Sequence, residues 1–87
     1  MKAFKLQIVT PEGMFFDGAC TQVSVKSTEG GVTILPGHIP YVTTLAKDGW
    51  CRVHTDSGKR SAYCSGGVLT VTQEQTRIVA ASFKWDN

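Results

Sequence analysis

Cys51 and His54 stand in the run Cys51-Arg52-Val53-His54, a spacing at which zinc sites often draw two ligands. The run reads as a strand, however, and residues three apart on a strand point to opposite faces, so the two cannot share a metal. His38 lies between Pro36 and Pro40 and could act as a general base. No serine or cysteine nucleophile with a third orienting group is identifiable around it. A histidine on a stiff corner suits a subunit interface, where protonation near neutral pH could tune the contact. Gly66-Gly67 lacks a following Gly-Lys-Ser/Thr and any helix whose N-terminus could hold a phosphate, so it reads as a structural bend. Glu12, Asp17, Glu29, Asp48, Asp56, Glu74 and Asp86 are dispersed, mostly at turns, and form no recognisable acid–base pair. Cys20, Cys51 and Cys64 are odd in number and contain no CxxC pair, which suggests small buried thiols. Trp50 and Trp85 could stack on bases, but the basic residues are scattered and only Lys59 and Arg60 are adjacent. Core or interface packing is the expectation for both tryptophans. The chain is therefore expected to be non-catalytic, with no metal, no nucleotide and no cofactor.

Elements that position these residues must fit into 87 residues, the size of one domain. A chain this short buries only about 60–65% of its unfolded surface, leaving little room for a deep cleft beside the core. Hydrophobic residues at 41% and charged residues at 18% separate it from disordered segments. The net charge of +2 is too small and too dispersed for a phosphate-binding stripe. No apolar run is long enough to span a bilayer, and the start, MKAFKLQIVT, has no signal-peptide apolar region, so a cytosolic chain is expected.

Residues 2–10 alternate, with Phe4, Leu6 and Ile8 on one face. Pro11-Glu12-Gly13 is a turn signal, and Met14-Phe15-Phe16 a brief strand ended by Asp17-Gly18. Residues 19–26 alternate again, Val23 and Val25 inward and Gln22 and Ser24 outward. Gly30 and Gly31 are expected to reverse the chain before the strand Val32-Thr33-Ile34-Leu35. The Pro-Gly-His-x-Pro corner that follows cannot continue a sheet ladder. Strands are then expected over 41–45, 50–55, 60–64, 68–72 and 76–80, with hairpin turns at 56–59 and 73–75 and a weakly patterned tail over 81–87. No window shows helical periodicity and no repeat appears. Strands at spacings of about 8–12 residues indicate an all-β sandwich or barrel.

KLQIVTPEGMFFDG, TEGGVTILPGHIP and YCSGGVLTVTQEQTRIVAAS, in that order, resemble the epsilon subunit of F-type ATP synthases over residues 4–82. The combination of the LPGHxP corner with a later Gly-Gly bend and a last hairpin carries the resemblance. It implies an all-β fold, a flattened antiparallel β-sandwich of about ten short strands, in a single domain over 1–87. It also implies a central-stalk rotor subunit that links the gamma subunit to the polar loops of the membrane c-ring and couples ion translocation to ATP synthesis or hydrolysis. Such a subunit is non-catalytic, peripheral to the cytoplasmic face of the membrane, and touches the membrane only through the complex. Matched by position, Thr10, His38, Tyr41 and Thr43 would lie towards gamma, and Thr28, Glu29, Gly30 and Gly31 towards the c-ring. Two positions depart from the family pattern: Gly31 replaces an acid and Thr33 a frequent glycine. The sequence ends at Asn87, before the family's carboxy-terminal helical hairpin, so inhibition or ATP binding by that hairpin is not expected. Residues 81–87 would be a tail or the start of that segment. The rival reading is a small all-β nucleic-acid-binding module, which needs a clustered basic face.

Overall fold

The computed structural model describes residues 2–37 and 40–86. Among them are eight strands and no helix: β1 (Phe4–Thr10), β2 (Gly13–Cys20), β3 (Gln22–Ser27), β4 (Gly30–Ile34), β5 (Tyr41–Thr44), β6 (Gly49–Thr55), β7 (Gly58–Val71) and β8 (Thr76–Trp85). The strands are joined by hydrogen bonds in the order β2-β1-β8-β7-β6-β3-β4, with β5 added to β7. All pairs are antiparallel except β1 with β8, whose register sets Ile8 beside Ile78.

The all-β expectation holds, with fewer and longer strands. β7 merges the two strands expected over 60–64 and 68–72. Its first half pairs with β6 and its second with β5, while β8 follows it from Ala62 to Val71. This long ribbon bends at Gly66 and Gly67, whose φ angles are +66° and +114°. A Cβ on Gly67 would strike the Val79 carbonyl and come within 2.7 Å of the Ala80 Cα, so the tight β7–β8 approach requires a glycine. The bend lets one continuous hydrogen-bonded sheet fold over into two facing layers.

Alternation then fills the space between the layers. Leu6, Ile8, Cys51, Val53, Leu69 and Ile78 are fully buried. The layers meet through Phe15 of β2 and Phe83 of β8, whose ring centroids are 5.2 Å apart, and through Phe16 and Trp85 at 6.4 Å. A bulge makes this possible: Ile8 pairs with Phe16 but Val9 with Met14, so Phe15 is extra and both phenylalanines pack against the core.

Three local expectations are corrected. Asp17-Gly18 does not turn the chain: β2 runs through it, opposite Gln7 and Leu6. Ser24 keeps the outward side of β3 but is buried there, flanked by Thr33, whose hydroxyl it meets at 3.0 Å, and Arg52 on the neighbouring strands. Residues 81–85, expected as part of a tail, continue β8, with Phe83 and Trp85 packed on the core.

Candidate docking surfaces

Four hairpin ends share one hydroxyl device. Ser27 Oγ donates to the Gly30 carbonyl at 2.7 Å and accepts from the Glu29 N–H at 3.2 Å. Thr10 does the same with Gly13 and Glu12, at 3.2 and 3.1 Å. Thr55 repeats it with Gly58 and Ser57, and Thr72 with Gln75 and Glu74. Each hydroxyl satisfies backbone groups that the reversal leaves unpaired. The sequence signal is a Ser or Thr at the end of one strand, three residues before the carbonyl its hydroxyl binds, a repeat that the strand reading overlooked.

The β3–β4 hairpin projects Thr28 and Glu29 as its two-residue tip, with Ser27 opposite Gly30. Thr28, Glu29, Gly30 and Gly31 are all exposed, so these four sequence-selected positions form one surface. The turn itself differs from expectation. Gly30 has φ +126°, but Gly31 does not take a left-handed conformation and lies in β4 against the Trp50 ring.

A second surface is the outer face of the layer containing β5, the end of β7, the start of β8, β1 and β2. Cross-strand pairing sets Thr44 beside Val68, Val68 beside Val79, Val79 beside Val9, and Val9 beside Met14. Val68, Val79 and Met14 are 40%, 47% and 53% exposed. The next row is polar except for Val42 at its end: Val42, Thr70, Arg77, Gln7 and Asp17. Arg77 donates to Gln7 Oε1 at 3.0 Å, and Gln7 Nε2 reaches Asp17 Oδ1 at 3.5 Å. An apolar ladder bordered by a hydrogen-bonded polar one has the composition of a docking surface.

The segment Thr44–Ala46 ties the tip to this face. The Thr28 N–H donates to the Thr44 carbonyl at 3.0 Å, and Ser27 forms a bridge with Leu45. Ala46 N–H donates to the Lys26 carbonyl, Leu45 N–H to Gly67, and Gly66 N–H to Ala46.

The residues selected for the opposite interface are less uniform. Thr10 is 6% exposed, with its hydroxyl committed to the β1–β2 turn. Tyr41 and Thr43 pair with the buried Val71 and Leu69, on the inward side of β5, whereas Val42 and Thr44 point outward. His38 lies outside the described residues. The sequence reading missed Val9, Met14, Val42, Val68 and Val79. A signal existed: Ile78-Val79-Ala80 and Val68-Leu69 are consecutive apolar residues where alternation leaves one facing out.

Among the described residues, no group of three His, Cys, Asp or Glu side chains converges as a metal site. Cys51 is buried inward, and His54 follows on the other face of β6. Burial pushes the thiols of Cys20 and Cys64 up to about 11 and that of Cys51 up to about 12, so all three stay protonated at neutral pH.

Fold and topology thus define a β-sandwich domain. Residues 3–86 match the family model described as ATP synthase, Delta/Epsilon chain, beta-sandwich domain, and the chain belongs to that family. It is 34% identical to the ATP synthase epsilon chain of Ruminococcus albus over 88 residues, covering 100% of this chain and 65% of that one. With the ATP synthase epsilon chain of Bacillus velezensis it shares 44% identity over 80 residues, 92% of this chain and 60% of the relative. The chain therefore spans less than two thirds of the length of these curated relatives. A chain in the Euglena gracilis mitochondrial ATP synthase structure, "OSCP/F1/c-ring in rotational state 1", has the same fold, with a TM-score of 0.86 at 20% identity over 95% of this chain and 53% of that one. The nucleic-acid-binding alternative finds no support in these relatives.

Proposed function

We propose that this chain is a non-catalytic central-stalk subunit of an F-type ATP synthase, holding the gamma subunit on one surface and the c-ring loops on another. The observation that carries the reading is the mechanical continuity between tip and ladder. The Thr28 N–H···O=C Thr44 bond joins the projecting hairpin to the residue that heads the Val68–Val79–Val9–Met14 row. A load on the tip therefore passes through backbone hydrogen bonds of a closely packed sheet, which deforms little.

In this reading Thr28, Glu29, Gly30 and Gly31 face the c-ring loops, and Glu29 supplies the one charge at the tip. An exposed ion pair there contributes about 0–1 kcal/mol, so it orients more than it binds. The gamma-facing surface is the apolar ladder together with Val42. Tyr41 and Thr43 stand at its margin, and Thr10 holds the adjoining turn; His38, assigned to the same interface from the sequence, lies outside the described residues. The subunit works on the cytoplasmic face of the energy-transducing membrane and meets the bilayer only through the complex. It needs no cofactor and no nucleic acid.

Co-expression with the matching gamma subunit, followed by gel filtration, tests the assignment. A one-to-one complex is expected with the natural chain and not with Val79→Asp. A complex of undiminished stability with Val79→Asp would remove the ladder from the gamma interface.

A further inference from the structure

The opposite outer face, formed by β4, β3, β6, the first half of β7 and the end of β8, has a different chemistry. Its central row runs Gly31, Lys26, Trp50, Tyr63, Lys84: Gly31 pairs with Lys26, Trp50 with Tyr63 and Tyr63 with Lys84, while Lys26 and Trp50 each stand next to the last β3–β6 pair, Val25 with Cys51. Arg52 lies in the adjacent row, and its guanidinium sits 4.5 Å from the Trp50 ring centroid. Lys59 is outward on β7, two positions before Ser61, the partner of Arg52. Asp86, just beyond β8 and bonded to Ser61, is the one acid in these rows, and Tyr63 and His54 are the remaining titratable groups. Four of the chain's nine basic residues and one of its seven acids thus share this face, a charge of +3 where the whole chain carries +2. Residues scattered in sequence are gathered by the pleat.

We propose that this face is a further protein-docking surface, taking an acidic segment of a partner polypeptide. Trp, Tyr and Arg form its centre, the residue types that dominate binding energy when ringed by other contacts. Lys26, Lys59 and Lys84 surround them and supply attraction to carboxylates. Adjacent strands are about 4.8 Å apart, so Lys26 on β3 and Lys84 on β8 are separated by about 14 Å, the length of a nine- or ten-residue helix. Beside the row a cleft of about 500 Å³ is lined by Lys47, Asp48, Tyr63, Ser65, Ser82 and Lys84, wide enough for an anchoring side chain. Base stacking is a poorer fit. Trp50 lies against Gly31 on one side and Arg52 on another, so its ring is not open to a nucleobase.

The test uses the isotope-labelled chain and three probes: a glutamate decapeptide, a ten-nucleotide single-stranded DNA and vesicles containing phosphatidylglycerol. The peptide is expected to shift the Trp50 indole and the amides of Tyr63 and Lys84 while leaving those of Val9 and Val79 in place. Lys26→Glu combined with Lys84→Glu should weaken it about tenfold, with Lys5→Glu as a control that weakens it less than twofold. Raising salt from 0.05 to 0.5 M should weaken the natural chain and level it with the double variant. Equal effects of all three lysine changes, shifts on the Val79 face, or tighter binding of DNA or vesicles than of peptide would overturn the proposal. An unchanged amide spectrum for each variant, away from the substituted sites, verifies that a loss is not unfolding.

Discussion

Gly67→Ala should be the most damaging alanine substitution among the exposed or half-exposed glycines, and the structure separates its two costs. Gly58 and Gly67 both have left-handed φ, +130° and +114°, but a Cβ on Gly58 meets nothing within 4 Å. Gly58→Ala therefore bears backbone strain alone, about 1–2 kcal/mol. Gly67→Ala bears that strain plus a collision with the backbone of β8 at Val79 and Ala80. Backbone cannot swing aside as a flexible side chain can. Relief requires opening the Gly67–Ala80 pairing, which strands one or two buried backbone groups at about 1–3 kcal/mol each. The total is about 2–8 kcal/mol. A domain of this length has about 4–13 kcal/mol in all, so the variant stands at the edge of unfolding at room temperature. Gly31→Ala is the internal control: its φ is not left-handed, its Cβ would lie 3.7 Å from the Trp50 ring, and its effect should be within about 0.5 kcal/mol of zero. Urea unfolding followed by tryptophan fluorescence measures all three, with a common m-value as the check that the transitions are comparable. If Gly67→Ala costs no more than Gly58→Ala, the close β7–β8 approach at the bend is wrong, and so is the account of how one sheet becomes two layers.

Three further outcomes follow from particular contacts. Ser27→Ala removes both hydrogen bonds of the β3–β4 staple and should cost about 1 kcal/mol, with faster amide exchange at Glu29; Ser27→Thr should restore most of both. Val79→Asp should alter stability in urea by less than about 1 kcal/mol, since Val79 is half-exposed, yet weaken gamma binding at least tenfold in calorimetry. The three thiols should make the fold alkali-sensitive. Their native values, about 11 to 12, lie above the 9.0 of a free thiol, so the unfolded chain ionises first. Their contribution is fully present below pH 9 and is lost as pH rises towards 11–12, which a series of urea midpoints from pH 8 to 11 would register. A flat series over that range would mean that the thiols are not held neutral by burial.

The sequence disclosed the class of fold because its strong signals are local. Phe4-x-Leu6-x-Ile8 and Val23-x-Val25 alternate with period two, and the turns at Pro11-Glu12 and Asp56-Ser57 fall where the chain reverses. Local signals fail where a pairing partner decides. Asp17-Gly18 has turn chemistry, but β1 holds it extended through the Gln7 contact. Residues 81–85 have little pattern of their own and become a strand because Ala62–Ser65 offers them a ladder. The exposed stretch Thr28–Gly31 was readable as the neighbourhood of a turn since its residues are adjacent in sequence, although the reversal falls at Thr28–Glu29 and Gly31 lies in β4. The apolar row was not, because Val68, Val79, Val9 and Met14 come from four strands and meet only through register. The β2 bulge that turns Met14 outward leaves no sequence mark beyond two consecutive phenylalanines.

An exposed row of valines is a liability for a small β protein, whose open edges already invite pairing with other chains. Here the row is kept one residue deep. Arg77, Gln7 and Asp17 form a hydrogen-bonded rail along one side, fixing two long side chains, Arg77 and Gln7, that would otherwise lose entropy on contact with a partner. Beyond Val42 the edge strand β5 is only four residues long. This arrangement limits non-specific association while presenting a flat, pre-ordered apolar strip, the combination that lets a rigid partner be held without induced fit. Arg77→Ala probes this rail separately from the valines. It leaves the valines of the row in place, so a drop in affinity for gamma, the proposed partner, with unchanged stability would measure what Arg77 and the rail it orders add. Unchanged affinity would leave the valines as the whole of the interface.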